Sequence, residues 1–463
     1  MNQLLHRIEA LSDEQLQLLT LLQNQKSMRY RVSIPAIEER TRFPLSFSQQ
    51  RIWFLHQFIP DKTVYNISAA LSIKGELDIG LLEGAWKTVI SRHEILRTTF
   101  HAEAGQVYQT VSADVEFSLQ LQELQAENEE TLLRQLHHDA KVAFDLERGP
   151  LFRVKLYQVG QQKYVLLLVV HHIVADGWSM GVLMRELSNI YQNNQLLKRG
   201  SLPPLPFQYG DFATWQRNCR KDEESFLLQA EYWKRQLREL PAALDLPTDH
   251  PRTNEQTFQG DRYHLVLPNH IVSSLEQIAK EENVSLFHVL FTLFNILLYR
   301  YTSQTDVVIG IPIANRNTKE MEELIGCFVN TLPIRTKSGE GVSFRSLLQQ
   351  IHASVTQAYM NQDFPYEQMV QQLNLDKQAE NDVFRIMFSY QNMPMPKLNI
   401  AGLKIDHLDI TNGTSKFDLT LFAVPGDGRF TLTFEYNRDL FEKETIIRMA
   451  SHLRNLVDYI TNQ

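Results

Sequence analysis

At roughly 150 residues per domain, a chain of 463 residues reads as two or three domains. Hydrophobic residues make up 43% and charged residues 22%, which excludes a chain disordered throughout. The balance of 46 Lys+Arg against 54 Asp+Glu gives a formal charge of -8, and no basic block is present to neutralise a phosphate backbone, so nucleic acid is not an expected partner. Cys219 and Cys327 are too few for a disulfide framework and lack CxxC spacing, which fits a reducing cytoplasm.

Residues 1–22 carry regularly spaced leucines interrupted by charges and glutamines, a pattern of neither a signal peptide nor a membrane span. Ser12 and Gln15 resemble a capping box, so a short amphipathic helix is expected to end near Gln25, with residues 1–40 serving as a leader. A helix follows over 80–92, with strands near 107–111 and 115–121 and a helix over 124–144. Strands over 151–157 and 163–172 form a hairpin at Gly160, and the near-continuous apolar run of the second arm marks a central strand. A helix over 180–194 leads to Pro203, Pro204 and Pro206, which can continue neither helix nor central strand and mark a connection between lobes. The second half repeats the mixture. Helices are expected near 223–240, 271–282, 286–301, 344–360 and 442–460, and strands near 262–267, 307–311, 384–391, 417–424 and 430–436. The reading is an α/β protein with lobes over 41–215 and 216–463.

The sharpest constellation is HHIVADG at the end of the apolar strand. Alternation sends His171 and His172 to opposite faces, so only one can face a given pocket. Asp176 and Gly177 form the next turn, with Gly177 free to adopt φ > 0, before a helix from Met180 whose N-terminal amides favour developing negative charge. A neutral imidazole there could accept a proton from an amine or hold a tetrahedral intermediate. A satisfied core histidine is the alternative. No metal is expected, because adjacent histidines on a strand diverge and the nearest carboxylate lies past a turn.

HHIVADG fits the HHxxxDG signature of the condensation domains of non-ribosomal peptide synthetases. SFSQQRIWFL (46–55), RHEILRTTF (92–100), YGDFATW (209–215), IGCFVNTLPIR (325–335) and NQDFPYE (361–367) resemble further motifs of that family in the right order. The resemblance implies two chloramphenicol-acetyltransferase-like lobes forming a V, with the active site in a central tunnel. It implies donor and acceptor peptidyl carrier proteins as partners, a neighbouring adenylation domain, and the carriers' 4'-phosphopantetheine arms as substrates. No cofactor is expected on the domain itself, no membrane contact, and a monomer. The acceptor amine would attack the donor thioester.

By the same resemblance His172 faces the tunnel, either as general base or as a positioning group, while His171 supports the turn and the Gly177 amide lies near the thioester oxygen. Asp176 is implied to be structural, paired with Arg316, with Arg335 in reserve. Trp178 and Ser179 would line the acceptor side, although packing is the alternative for Trp178. Asn330 and Thr331 would touch the pantetheine arms or cap a sheet edge. Arg51, Arg92 and Arg97 resemble ion-pair donors. GWSMGVL is closer to condensation than to epimerisation relatives, and the DxxxxD of heterocyclisation relatives is absent. The opening motifs resemble domains taking an L-configured donor or starter domains taking a fatty acyl donor. A recruiting module without catalysis and a free-standing acyltransferase using coenzyme A donors remain as alternatives from other classes.

Overall fold

The computed structural model describes residues 34–124, 129–193, 202–218, 224–253, 257–372, 383–391, 400, 402–426 and 429–462. The expected leader helix and Cys219 lie outside them. In chain order the first half contains Arg42–Pro44 (β1), Phe47–Phe58 (α1), Asn66–Lys74 (β2), Ile79–Arg92 (α2), Thr98–Glu103 (β3), Gln106–Val111 (β4), Gln120–Glu123 (β5), Glu129–Ala140 (α3), Phe152–Gly160 (β6), Lys163–His171 (β7), Gly177–Gln192 (α4) and Tyr209–Asn218 (α5). The second half contains Glu224–Gln236 (α6), Gly260–Leu267 (β8), Asn269–Glu281 (α7), Leu286–Thr302 (α8), Asp306–Ile313 (β9), Lys319–Glu322 (α9), Asn330–Lys337 (β10), Phe344–Met360 (α10), Tyr366–Gln372 (α11), Ile386–Tyr390 (β11), Lys404–Leu408 (β12), Leu419–Gly426 (β13), Arg429–Asn437 (β14) and Lys443–Thr461 (α12).

Among the described residues three sheets result, ordered β1-β4-β3, β12-β2-β7-β6-β5 and β10-β9-β11-β13-β14-β8. The unbroken Val165–Val170 run of β7 is explained by its place at the centre of the five-stranded sheet, where both faces are covered and every one of these side chains is buried. Two hydrophobic cores accompany the larger sheets. One is built around β2, β6, β7, α2 and α4, with Trp86 wholly buried against Phe117 and Phe152. The other is built around β9, β11, β13, β14, α8 and α12.

The chain does not distribute its halves cleanly between these cores. Lys404–Leu408 (β12) pairs antiparallel with β2, setting Ile405 opposite Ile73, and so covers backbone groups that an open sheet edge would expose. The stretch containing Met321, Leu324, Ile325, Cys327 and Phe328 also packs into the first core. These two crossings bring late segments of the chain to the end of β7.

Among the described residues no single helix is long and apolar enough to cross a membrane. Helices α7 and α8 reach that composition only as a pair bent by 102°, and the apolar residues of α8 are buried in the second core.

Candidate active site

Strand β7 ends at His171, whose imidazole is fully buried. Its Nδ1 accepts from the Ile173 amide at 3.2 Å, which leaves the ring proton on Nε2, and its ring packs edge-on against His56 at 5.3 Å and Phe144 at 6.1 Å. Burial pushes its pKa well below the usual histidine value, aided by the neighbouring His56, His172 and Lys416. His171 is therefore a neutral packing group behind the turn.

His172 comes one residue later and turns the other way. Its amide donates to the Tyr65 carbonyl at 2.8 Å, and its Nδ1 lies 3.7 Å from the Cys327 Sγ. The residue is half-buried between its buried neighbours His171 and Ile173, the exposure expected of a group on the wall of a space. Burial first, and then the charge of Lys416, lower its pKa to about 4, so the imidazole is neutral at physiological pH.

The next residues correct two expectations. Helix α4 begins at Gly177 rather than Met180, because Asp176 is its N-cap and accepts from the Ser179 amide at 2.8 Å. Gly177 has no positive φ, since it already occupies the first helical position. A Cβ built there meets nothing within 4 Å and the residue is exposed, so the start of α4 is uncrowded on that side.

Asp176 and Arg316 are brought together as a buried ion pair at 3.1 Å. The carboxylate also accepts from Ser179 Oγ at 2.7 Å and from the Phe328 amide at 3.0 Å, which satisfies it without any contact to a ligand. The guanidinium donates to the carbonyls of Met321 and Leu324 and to Ser179 Oγ. Arg335 is elsewhere, paired with Asp306 at 2.7 Å.

Ser179 is turned into the protein. It is 1% exposed, and its hydroxyl is consumed by Asp176, Arg316 and the Gly326 backbone, a consequence of sitting at the capped start of α4 directly below the ion pair. Trp178 is half-buried, and its Nε1 donates to the Glu322 carbonyl at 3.0 Å across the two halves. Asn330 is likewise spent on structure. Its amide nitrogen donates to the Gln362 and Phe364 carbonyls, both at 2.9 Å, and its oxygen accepts from the Thr331 and Tyr366 amides, so it pins the Asn361–Glu367 loop to the start of β10. Thr331 is buried beside it.

Gly326 supplies the close approach that holds this cluster together. A Cβ there would lie 2.0 Å from the Tyr209 ring, and Tyr209 Oη bonds both the Cys327 carbonyl at 2.6 Å and Ser46 Oγ at 2.8 Å. Residues from four separate motifs thus form one hydrogen-bonded floor beneath His172. Of the remaining arginines, Arg92 pairs with Glu186 at 2.9 Å. Arg97 instead donates to the backbone carbonyls of Ile90 and Ala113, which makes it a loop clasp rather than an ion-pair donor among the described residues. Arg51 lies over the Tyr366 ring, 4.8 Å from its centroid.

Sequence reasoning missed Lys416, Tyr65 and Cys327. Lys416 stands 4.7 Å over the Tyr65 ring, and Tyr65 lies 6.5 Å from the His172 ring. The available signal was a lone cation immediately before the apolar run of β13. No group of His, Cys, Asp and Glu suited to a metal ion occurs among the described residues. An open groove of about 790 Å³, lined among others by Lys87, Phe117, Phe152 and Arg153, shares no residue with this cluster.

The family described as Condensation domain matches residues 39–463. The chain belongs to the condensation-domain family. A linear gramicidin synthase protein of Brevibacillus parabrevis is 40% identical over 448 residues, covering 95% of this chain and 6% of that protein. Bacitracin synthase 3 of Bacillus licheniformis is 34% identical over 432 residues, covering 93% of this chain and 7% of that protein. This condensation domain therefore spans a small part of the curated relatives it matches, which include multidomain non-ribosomal peptide synthetases. Among solved structures, the X-domain from teicoplanin biosynthesis superposes with a TM-score of 0.84 at 24% identity, covering 93% of this chain and 97% of that one. The condensation domain of the monacolin K polyketide synthase MokA superposes with a TM-score of 0.80 at 19% identity, covering 92% and 99%. The fold they share with this domain is the α/β, chloramphenicol-acetyltransferase-like one, and the family comprises amide-forming acyltransferase-type enzymes of non-ribosomal peptide synthesis.

Proposed function

We propose that this domain forms an amide bond between a carrier-bound donor acyl or peptidyl thioester and the amine of a carrier-bound aminoacyl acceptor. The observation that carries the reading is the state of His172: neutral and half-buried at the end of β7, a few residues before the exposed Gly177 that opens α4. With Nδ1 turned toward Cys327, Nε2 is the nitrogen left to meet the attacking amine or the zwitterionic intermediate. An α-amine has an unperturbed pKa of about 7.7–8.0, so part of it is already neutral near pH 7.5 and His172 need not abstract a proton before attack. It acts by orienting the amine and sharing its proton as the C–N bond forms.

On this reading the domain has lobes over 41–215 and 216–463, joined by the two crossings described above, and residues 1–40 serve as a tether or docking segment. The lobes make a V, and the pantetheine arms of donor and acceptor carrier proteins reach His172 from opposite mouths of a tunnel. The phosphopantetheine belongs to the partners, an adenylation domain is the neighbour, and the setting is a monomeric unit in the cytoplasm. The roles assigned to His171, Asp176 and Arg316 are supportive: they hold the turn and the start of α4 in place.

The test is single-turnover mixing of a loaded donor carrier with a loaded acceptor carrier, using aminoacyl and fatty acyl donors in parallel. Amide on the acceptor carrier is the expected product, and the preferred donor separates an elongating from a starter domain. Carrier binding without amide from any donor would replace this reading with a recruiting module. Equal turnover of free coenzyme A thioesters would replace it with a free-standing acyltransferase.

A further inference from the structure

The segment 410–416 is tied by hydrogen bonds to the start of β2, which pairs with the end of β7. Asn412 donates to the carbonyls of Thr63 and Asn66, both at 3.1 Å, and Thr414 and Ser415 are buried in the same clasp. This delivers Lys416 beside the ring of Tyr65, the residue whose carbonyl receives the His172 amide. Lys416 is half-buried, as His172 is, and no carboxylate lies within ion-pair distance of it among the described residues. The charged and titratable groups that face it are Glu435 on β14, Arg51 on α1, Cys327, His171, His172 and Tyr65. Glu435 is already held by Arg262 at 2.8 Å. A partly desolvated ammonium without a carboxylate partner is unfavourable to the fold, and a charge retained there is available to a ligand.

We propose that Lys416 is a catalytic residue of this site, donating a hydrogen bond to the carbonyl oxygen of the donor thioester and holding the negative charge that grows there. The inference rests on the amide-forming reading. The amine lone pair adds to the thioester carbon, the C–N bond forms, and the C=O π pair moves onto oxygen, where the Lys416 ammonium meets it. The carbonyl then re-forms as the C–S bond breaks, and the proton on the former amine nitrogen passes to the departing thiolate, leaving a neutral amide and a free thiol. The same positive charge disfavours protonation of His172 and of the incoming amine, which keeps the nucleophile neutral.

The experiment compares the wild-type domain with Lys416→Met and Lys416→Arg in single-turnover amide formation between loaded carriers, across pH 6–10, with thermal melting of each protein. Lys416→Met should lower the limiting rate on the order of 10²-fold, the usual effect of losing one oxyanion donor, while half-saturating carrier concentrations change little. Burial lowers the Lys416 pKa to about 8, so the wild-type rate should fall above pH 8 as the charge is lost. Lys416→Met should lack that limb, and Lys416→Arg should recover part of the rate and move the limb to higher pH. The Met variant should melt no lower than wild type, since an uncompensated charge has been removed. A Met variant within about threefold of the wild-type rate, or one that keeps the descending limb, overturns the proposal. A wild-type domain that forms no amide from any loaded pair overturns the amide-forming reading and this inference with it, whereas active wild type with an indifferent Met variant removes Lys416 alone.

Discussion

Replacing Asp176 with alanine takes away the acceptor for the Ser179 amide, the Ser179 hydroxyl, the Phe328 amide and the Arg316 guanidinium together. Loss of a helix N-cap costs about 1 kcal/mol, and an orphaned buried amide such as that of Phe328 costs about 1–3 kcal/mol. Breaking one side of a buried ion pair costs about 3–5 kcal/mol, because the remaining charge is stranded. These terms describe one carboxylate and overlap, so the expected loss is about 4 kcal/mol, a large share of the 5–15 kcal/mol typical of a folded protein. Removing the stranded charge as well, in Asp176→Ala/Arg316→Met, should recover about half of that loss, although the Met321 and Leu324 carbonyls then lose their donor. Urea unfolding followed by tryptophan fluorescence measures Asp176→Ala, Arg316→Met and the double variant, and the surviving folded fraction of Asp176→Ala should retain amide formation, since the carboxylate is spent on protein partners. A single variant that loses under about 1 kcal/mol, or a double variant equal to the sum of its singles within about 0.5 kcal/mol, would refute the argument.

Other consequences follow from the same geometry. The pKa values of His56, His172 and His288 are lowered to about 4 in the folded chain, chiefly by burial, against about 6.5 when unfolded. The unfolded chain therefore takes up protons first as pH falls, so stability is complete above pH 6.5 and declines toward pH 4; flat urea midpoints between pH 7 and 4.5 would contradict this. Gly177→Ala should fold as well as wild type, since its Cβ meets nothing, yet should slow amide formation by crowding the ligand side of the helix start; an unchanged rate would place the substrate elsewhere. Gly326→Ala should destabilise by about 1–3 kcal/mol, because its methyl collides with the buried Tyr209 ring, and a variant as stable as wild type would show that the loop relaxes freely.

The parts of the fold legible in the sequence were those with strong periodicity and buried partners. Helix α10 lies where its spacing puts it, 344–360, and β6 and β7 form the hairpin around Gly160. Lys404–Leu408 went unread because an edge strand with charged residues on its exposed positions carries no alternating signal, and its pairing partner lies more than 300 residues earlier. Strand β10 was hidden by Pro333, which the sheet tolerates because β10 is its outermost strand. The helix expected over 124–144 is shorter, Glu129–Ala140, and the strand expected near 115–121 forms only at Gln120–Glu123. At the site, motif spacing marked His171, His172, Asp176 and Arg316, but it could not tell a residue that meets a ligand from one consumed by its neighbours. Ser179 and Asn330 spend their hydrogen bonds internally because of tertiary contacts with Gly326, Gln362 and Phe364, which sequence position does not reveal. Lys416 was invisible for the complementary reason: the role proposed for it comes from having no ion pair among the described residues, which sequence position does not reveal.

Whether amide formation takes place at His172 is tested most directly by single-turnover mixing of loaded carriers with His172→Ala, with the urea midpoint measured on the same sample. The His172 side chain is half-buried and forms no ion pair among the described residues, so truncation should leave the fold intact while the rate falls on the order of 10²-fold or more. A well-folded His172→Ala domain that joins donor and acceptor at the wild-type rate would contradict the account and move the chemistry away from this site.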